Sequence, residues 1–250
     1  MALHTVAAAA GVGIAAGPWL RGLVFAHSVG FRAPLRSRCP QCGYLVTPNA
    51  ARGLAAAAPP DGRCPACRRL LGLPAGTVEL LAAASLAVLA LSAPSLGVLA
   101  AWSWAGLFGT ALALVDAAVH RLPSILTAAA TGGALVLLTA TAVFTGDYPA
   151  LLRAIGCAVV LSVIYLALVL SDRTALNRGD AQLAPLIGAC LGWISISAVW
   201  TATVAWILLA GAFVLPAVLT HRITMRDAIP LGPYILLGAL TAIALASSTS

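Results

Sequence analysis

Charge is scarce in this chain. Only 8% of its 250 residues are Asp, Glu, Lys or Arg, and 61% are hydrophobic. With a mean hydropathy of +1.01, this excludes an ordinary soluble domain, which could not cover so much apolar surface. Lysine is absent: all 14 basic residues are arginine, which with the abundant alanine points to a GC-rich genome. No arginine precedes Arg21, so the first tract, from Met1 to about Phe31, lacks the basic start of a cleavable signal peptide. It reads as a retained first transmembrane helix. Acidic residues number only seven, and a carboxylate at the edge of a hydrocarbon core is costly to keep charged. The few that lie there invite a functional explanation.

What remains is a series of apolar tracts. A span needs about 20 mostly apolar residues. The tracts predict helices near 3–29, 76–93, 95–117, 124–145, 149–171, 180–194, 196–220 and 228–246. The expected fold is an all-α polytopic membrane protein of about eight spans. The sixth is the shortest.

The arginines sort by loop. Segment 30–75 carries Arg32, Arg36, Arg38, Arg52, Arg63, Arg68 and Arg69; later connections carry Arg121, then Arg173 and Arg178, then Arg222 and Arg226. The connections near 94, 147 and 195 carry none, although Arg153 lies just inside the fifth helix. The positive-inside rule puts the basic loops in the cytoplasm and both termini outside. The net charge of +7 therefore reflects membrane topology and not a nucleic-acid partner.

Two aspartates stand at ends of apolar helices. Asp116 lies in LVDAAVHRLPSILT and closes the third helix; Asp180 lies in NRGDAQLAPLIGACLGW and opens the sixth. The topology puts both on the cytoplasmic side. Two carboxylates brought together can share a proton and activate water for peptide hydrolysis. Either could instead be a plain helix-end residue, and Asp180 in particular could cap its helix. His120 reads as an interfacial side chain. Trp102, Trp104, Trp193, Trp200 and Trp206 read as belt or packing residues.

The longest polar stretch, 30–75, contains Cys39-Pro40-Gln41-Cys42 and Cys64-Pro65-Ala66-Cys67. The 21 residues between the pairs, 43–63, slightly exceed the roughly 15–20 common in four-cysteine zinc sites. In the reducing cytoplasm, metal is favoured over disulfides. Four thiolates leave no open coordination position, so a structural zinc is expected on Cys39, Cys42, Cys64 and Cys67. Gly43 suits the tight turn of such a knuckle. Residues 50–62 look like an excursion loop. Cys157 and Cys190 sit alone in apolar tracts and read as core residues. The chain thus divides into a first helix (1–29), a zinc-binding segment (30–75) and a seven-helix membrane domain (76–250).

Taken together, these pieces resemble the type IV prepilin peptidase family, membrane aspartyl peptidases of bacteria. RSRCPQCG and GRCPAC look like its paired knuckles. PAGTVELLAA resembles its entry into the second helix, with Glu79 in the expected place. VDAAVHRLPSILT and RGDAQLAPLIGACLGW are similar to its two aspartate motifs, and IPLGPYILLGAL to its last-helix Pro-x-Gly-Pro pattern. The resemblance covers nearly the whole chain. It implies that Asp116 and Asp180 form a catalytic dyad, with Gly179 letting the backbone approach the substrate closely. The substrate would be a prepilin-like precursor with a basic leader, cut at the cytoplasmic face of the bacterial plasma membrane. The family also commonly methylates the new amino terminus with S-adenosylmethionine; no methyl-donor motif is legible here, and Glu79 is a candidate helper by position only, reading equally as a solvated helix-end residue. Partners beyond precursor and membrane lipid, and the oligomeric state, are not legible.

The chain departs from the family at three places. Asn177 stands where the second motif usually has its first glycine, on the expectation that asparagine tolerates a left-handed turn. Gln182 replaces the usual lysine, and Ser124 an acidic residue. The competing reading is an inactive relative serving as a membrane scaffold or substrate-binding module, favoured by the residue at 177.

Overall fold

A computed structural model of the chain describes residues 3–30, 33–48, 53–171, 177–220 and 229–248. Among them the regular structure is helical: α1 Leu3–Ala15, α2 Gly17–His27, α3 Thr77–Ser92, α4 Leu96–Val119, α5 Ser124–Thr145, α6 Tyr148–Leu170, α7 Arg178–Ile194, α8 Ile196–Leu219 and α9 Gly232–Ser248. Seven of the eight expected helices appear close to their expected bounds. The first does not stay whole. It breaks into α1 and α2, which meet at 44°. Pro18 opens α2, and its ring and missing N–H disrupt a continuous helix.

Among the described residues four helices (α4, α5, α6 and α8) are long and apolar enough to cross a membrane, and the bent α1–α2 pair would be a fifth. The expected eight spans are therefore not all reached by length: α3 and α9 are shorter apolar helices, and α7 has 17 residues. α7 is buried along most of its length, from Leu183 to Trp193 with only Pro185 half-buried. A short helix enclosed by protein satisfies its own backbone and need not match the bilayer. Arg153 of α6 closes its far end by donating to the carbonyls of Gly192, Trp193 and Ile194.

Small residues set the packing, as expected where lipid offers no hydrophobic drive between helices. α6 packs most extensively on α7, α1 on α3, and α8 on α9. At each seam a glycine leaves no room for a side chain. A Cβ on Gly188 would lie 2.6 Å from Ala158 Cα, one on Gly13 2.6 Å from Ala83 N, and one on Gly238 2.8 Å from Ala202 O. Outward faces of α6 and α8 expose Val159, Val163, Leu166, Leu208 and Phe213, an apolar girdle suited to lipid.

The polar segment is not a separate lobe. Residues 53–58, expected to be an excursion, lie against α2. Trp19 Nε1 donates to Leu54 O (2.9 Å), His27 Nε2 pairs with Gly53 O (2.7 Å), and Ala58 N donates to Pro18 O (2.9 Å). Phe25 of α2 shares a small core with Cys39, Val46, Ala58 and Cys64. The other end of the segment is tied down by Arg21. Its guanidinium binds Glu79 bidentately, Nε to Oε1 and Nη2 to Oε2 at 2.7 Å each, and donates to Leu73 O (2.9 Å) and Pro74 O (2.8 Å). The pair is buried, with side chains 5% and 13% exposed. Glu79 is thus neither a solvated helix-end residue nor unengaged.

Candidate functional site

The two cysteine pairs form near-repeats of one turn. In the first, Cys39 N donates to Tyr44 O and Gly43 N to Cys39 O; in the second, Cys64 N donates to Arg69 O and Arg68 N to Cys64 O. Arg38 bridges to Leu45 and Arg63 to Leu70. The residue after each second cysteine has positive φ: Gly43 at 72° and Arg68 at 58°. Glycine enters that region freely, whereas arginine is strained there.

The turns face each other. Cys39 Sγ lies 3.8 Å from Cys67 Sγ, and Cys42 Sγ 3.6 Å from Cys64 Sγ. All four sulfurs lie within 4.8 Å of one another. These gaps are too long for disulfides. They fit a tetrahedron of about 2.3 Å zinc–thiolate bonds, whose edges are about 3.8 Å. The cluster can hold a metal ion. Without metal the thiols ionise unequally: the N–H groups of Cys42 and Gln41 bring Cys39 down to about 7. The Tyr44 N–H favours the Cys42 thiolate too, but burial and the neighbouring thiols push it up to about 12. A cation removes that conflict by neutralising several thiolates at once.

The aspartates lie elsewhere, at helix ends. Asp116 is in the last turn of α4 and 5% exposed; Asp180 is in the first turn of α7 and 2% exposed. They come from helices far apart in sequence, yet they are near enough to interact electrostatically. The chain brings them together through the turn after α4. His120 ends that helix in the left-handed conformation, φ 53°, and the chain then runs through Leu122 under the start of α7. A Cβ on Gly179 would lie 3.1 Å from Leu122 Cβ, so glycine at 179 permits this contact. The close approach expected of Gly179 is made to the protein itself.

Each carboxylate uses one oxygen to hold its place. Asp116 Oδ2 accepts from Gly232 N (2.9 Å), and Asp180 Oδ2 from Asn177 N (2.8 Å). Gly232 opens α9 and Asp180 sits in the first turn of α7. Both carboxylates therefore meet helix N-termini, whose partial positive charge opposes the cost of burying them. Among the described residues no donor reaches either Oδ1. Gly232 is a site residue that reading the sequence missed. A Cβ there would lie 2.8 Å from Asp116 Oδ2. Its signal was the Pro230-Leu231-Gly232-Pro233 pattern, noted without a partner.

Asn177 is corrected too. Its φ and ψ are −100° and 164°, extended backbone open to any residue, so no left-handed turn is needed there. Gln182, in place of the family's lysine, brings Oε1 to 3.2 Å from Thr127 Oγ1, joining α7 to α5.

An all-helical chain with several membrane-length apolar helices, a four-cysteine cluster and two converging buried aspartates defines a class of polytopic membrane protein. The prepilin leader peptidase/N-methyltransferase of Dickeya chrysanthemi is 32% identical over 147 residues, which cover 57% of this chain and 49% of that protein. The present chain thus spans about half the length of that relative. No protein-family model matches the chain, and no solved structure does.

Proposed function

We propose that the chain is an integral-membrane aspartyl endopeptidase that removes the leader from prepilin-like precursors. The observation that carries this reading is the convergence of Asp116 and Asp180, each buried and anchored through one oxygen, with Oδ1 left for chemistry. One carboxylate takes a proton from water as it attacks the scissile carbonyl. The other, protonated, donates to that carbonyl oxygen; as the C–N bond breaks, the first passes the water's proton to the departing amine and the second takes its proton back from the collapsing intermediate's hydroxyl. In this reading the two carboxylates face one water, where like charges disfavour double ionisation, so the pair shares one proton and titrates as a unit. The arginine pattern supports a site at the cytoplasmic face, with both termini outside. The relative's methyltransferase name extends the proposal to methylation of the new amino terminus.

Zinc on the four cysteines has a structural role in this proposal. It ties the two knuckles, and through them residues 53–73, to α2. The inactive-relative reading has one observation in its favour: Asp180 accepts from Asn177 N, a bond that a plain helix cap would also make. Co-expression with a prepilin-like precursor separates the two. Cleavage by the wild type and none by Asp180→Asn supports the peptidase; an intact precursor with the wild type supports the scaffold. Mass analysis of the new amino terminus reads methylation in the same sample.

A further inference from the structure

An apolar cavity of about 270 Å³ lies between α3, α4, α7 and α9. Neither aspartate lines it, but the helix stretches that do lead to both. Gly109 and Ile187 both line it. Gly109 is seven residues before Asp116 and Ile187 seven after Asp180, so each lies nearly two turns away, about 20° off the face that carries its aspartate. α4 ends at the aspartates and α7 begins there. Both wall residues are therefore about 10 Å further into the membrane. α9 supplies Pro233, next to the Gly232 that holds Asp116. Ala117, beside Asp116, lines the near end, and Trp102 lies four turns deeper.

The space exists because α4 carries small residues there. Ala105, Gly109, Ala113 and Ala117 recur every four residues and all line the cavity, a spacing that lets another helix approach closely. Among the described residues no charged side chain lines it. The Thr110 hydroxyl is spent on Gly106 O (2.8 Å), which leaves the Ser85 hydroxyl and the buried, unpartnered Trp102 Nε1 as its polar groups. An occupant that enters from the aspartates must be apolar over most of its length. A peptide whose scissile bond lies at Asp116 and Asp180, and whose next residues form an apolar helix, meets both requirements.

We propose that this cavity receives the apolar side chains that follow the scissile bond in the precursor, and that Gly109, Ala113 and Ala117 limit their size. The inference rests on the peptidase reading and names its specificity element. Binding and cleavage test it separately. In membranes carrying Asp180→Asn protein, a precursor with a photoreactive residue one to three turns after the scissile bond should cross-link to α4 or α9. Cross-links only to α6 or α8, or none, would overturn it, as would a photoreactive acyl lipid labelling the Gly109 turn equally with and without precursor.

In the active protein, Ala113→Leu should lower cleavage of a precursor with large side chains there about tenfold. A precursor with alanines at those positions should be cut with a much smaller loss, and an unchanged melting midpoint in detergent shows that the variant is folded. Gly109→Ala, whose new Cβ would lie 3.3 Å from Leu236 Cδ2, should give a smaller effect of the same sign. Equal cleavage of both precursors by Ala113→Leu would refute the size limit. A wild type that cuts neither defeats the peptidase reading, while the cross-links still decide whether the cavity holds the helix.

Discussion

Removing the Arg21–Glu79 pair should cost stability and not chemistry. Glu79→Ala takes both acceptors from the guanidinium and leaves a cation, 5% exposed, with only the Leu73 and Pro74 carbonyls. Breaking a buried pair from one side costs about 3–5 kcal/mol. For a chain of this size that lowers the unfolding midpoint by roughly 6–20 °C. Arg21→Ala should cost roughly 1–2 kcal/mol more, because it also orphans those two carbonyls. Replacing both ions by apolar residues, Arg21→Met with Glu79→Leu, should recover most of the loss, since no unpaired charge remains. Thermal unfolding in detergent reads all four proteins. Cleavage per folded molecule, at a temperature where each is folded, should be unchanged. A Glu79→Ala protein that melts within about 2 °C of wild type but no longer cleaves would refute the argument and give Glu79 a part in the reaction.

Three further outcomes are expected. Arg68→Gly should stabilise the second knuckle by about 0.5–1 kcal/mol, because it relieves a left-handed arginine and loses only an exposed pair with Asp61 at 3.2 Å; slower metal loss to a chelator checks this, and faster loss refutes it. Purified protein should carry one zinc per chain, and Cys64→Ser should lose it while the 53–73 region becomes protease-sensitive; four reactive thiols and no metal in the wild type would contradict the site. Gly232→Ala should cut cleavage at least tenfold with little change in the melting midpoint, because its methyl displaces Asp116 Oδ2; wild-type cleavage would mean that Asp116 has room to move.

Local information was legible in the sequence. The helices expected at 95–117 and 124–145 became Leu96–Val119 and Ser124–Thr145, since apolar length and bounding Pro or Gly residues decide them. The thiol cluster was legible because two CxxC turns at about this spacing commonly bring four thiols to one point. Long-range pairing was not. Glu79 looked solvated until Arg21, 58 residues away, met it. Asp116 had no visible anchor because Gly232 lies 116 residues on. The break at Pro18 carried a local signal that the apolar run masked. Asn177 was misread because its conformation depends on where α7 starts, which the glycine pattern alone does not fix.

The central claim is that Asp116 and Asp180 act as one unit, and the most direct measurement is precursor cleavage by Asp116→Asn, Asp180→Asn and the double variant. Asparagine keeps an acceptor for Gly232 N and Asn177 N, so folding and zinc content should stay as in the wild type. Residues that work together are non-additive. Each single variant should therefore lose cleavage as completely as the double. Cleavage retained by Asp116→Asn would contradict the aspartyl mechanism.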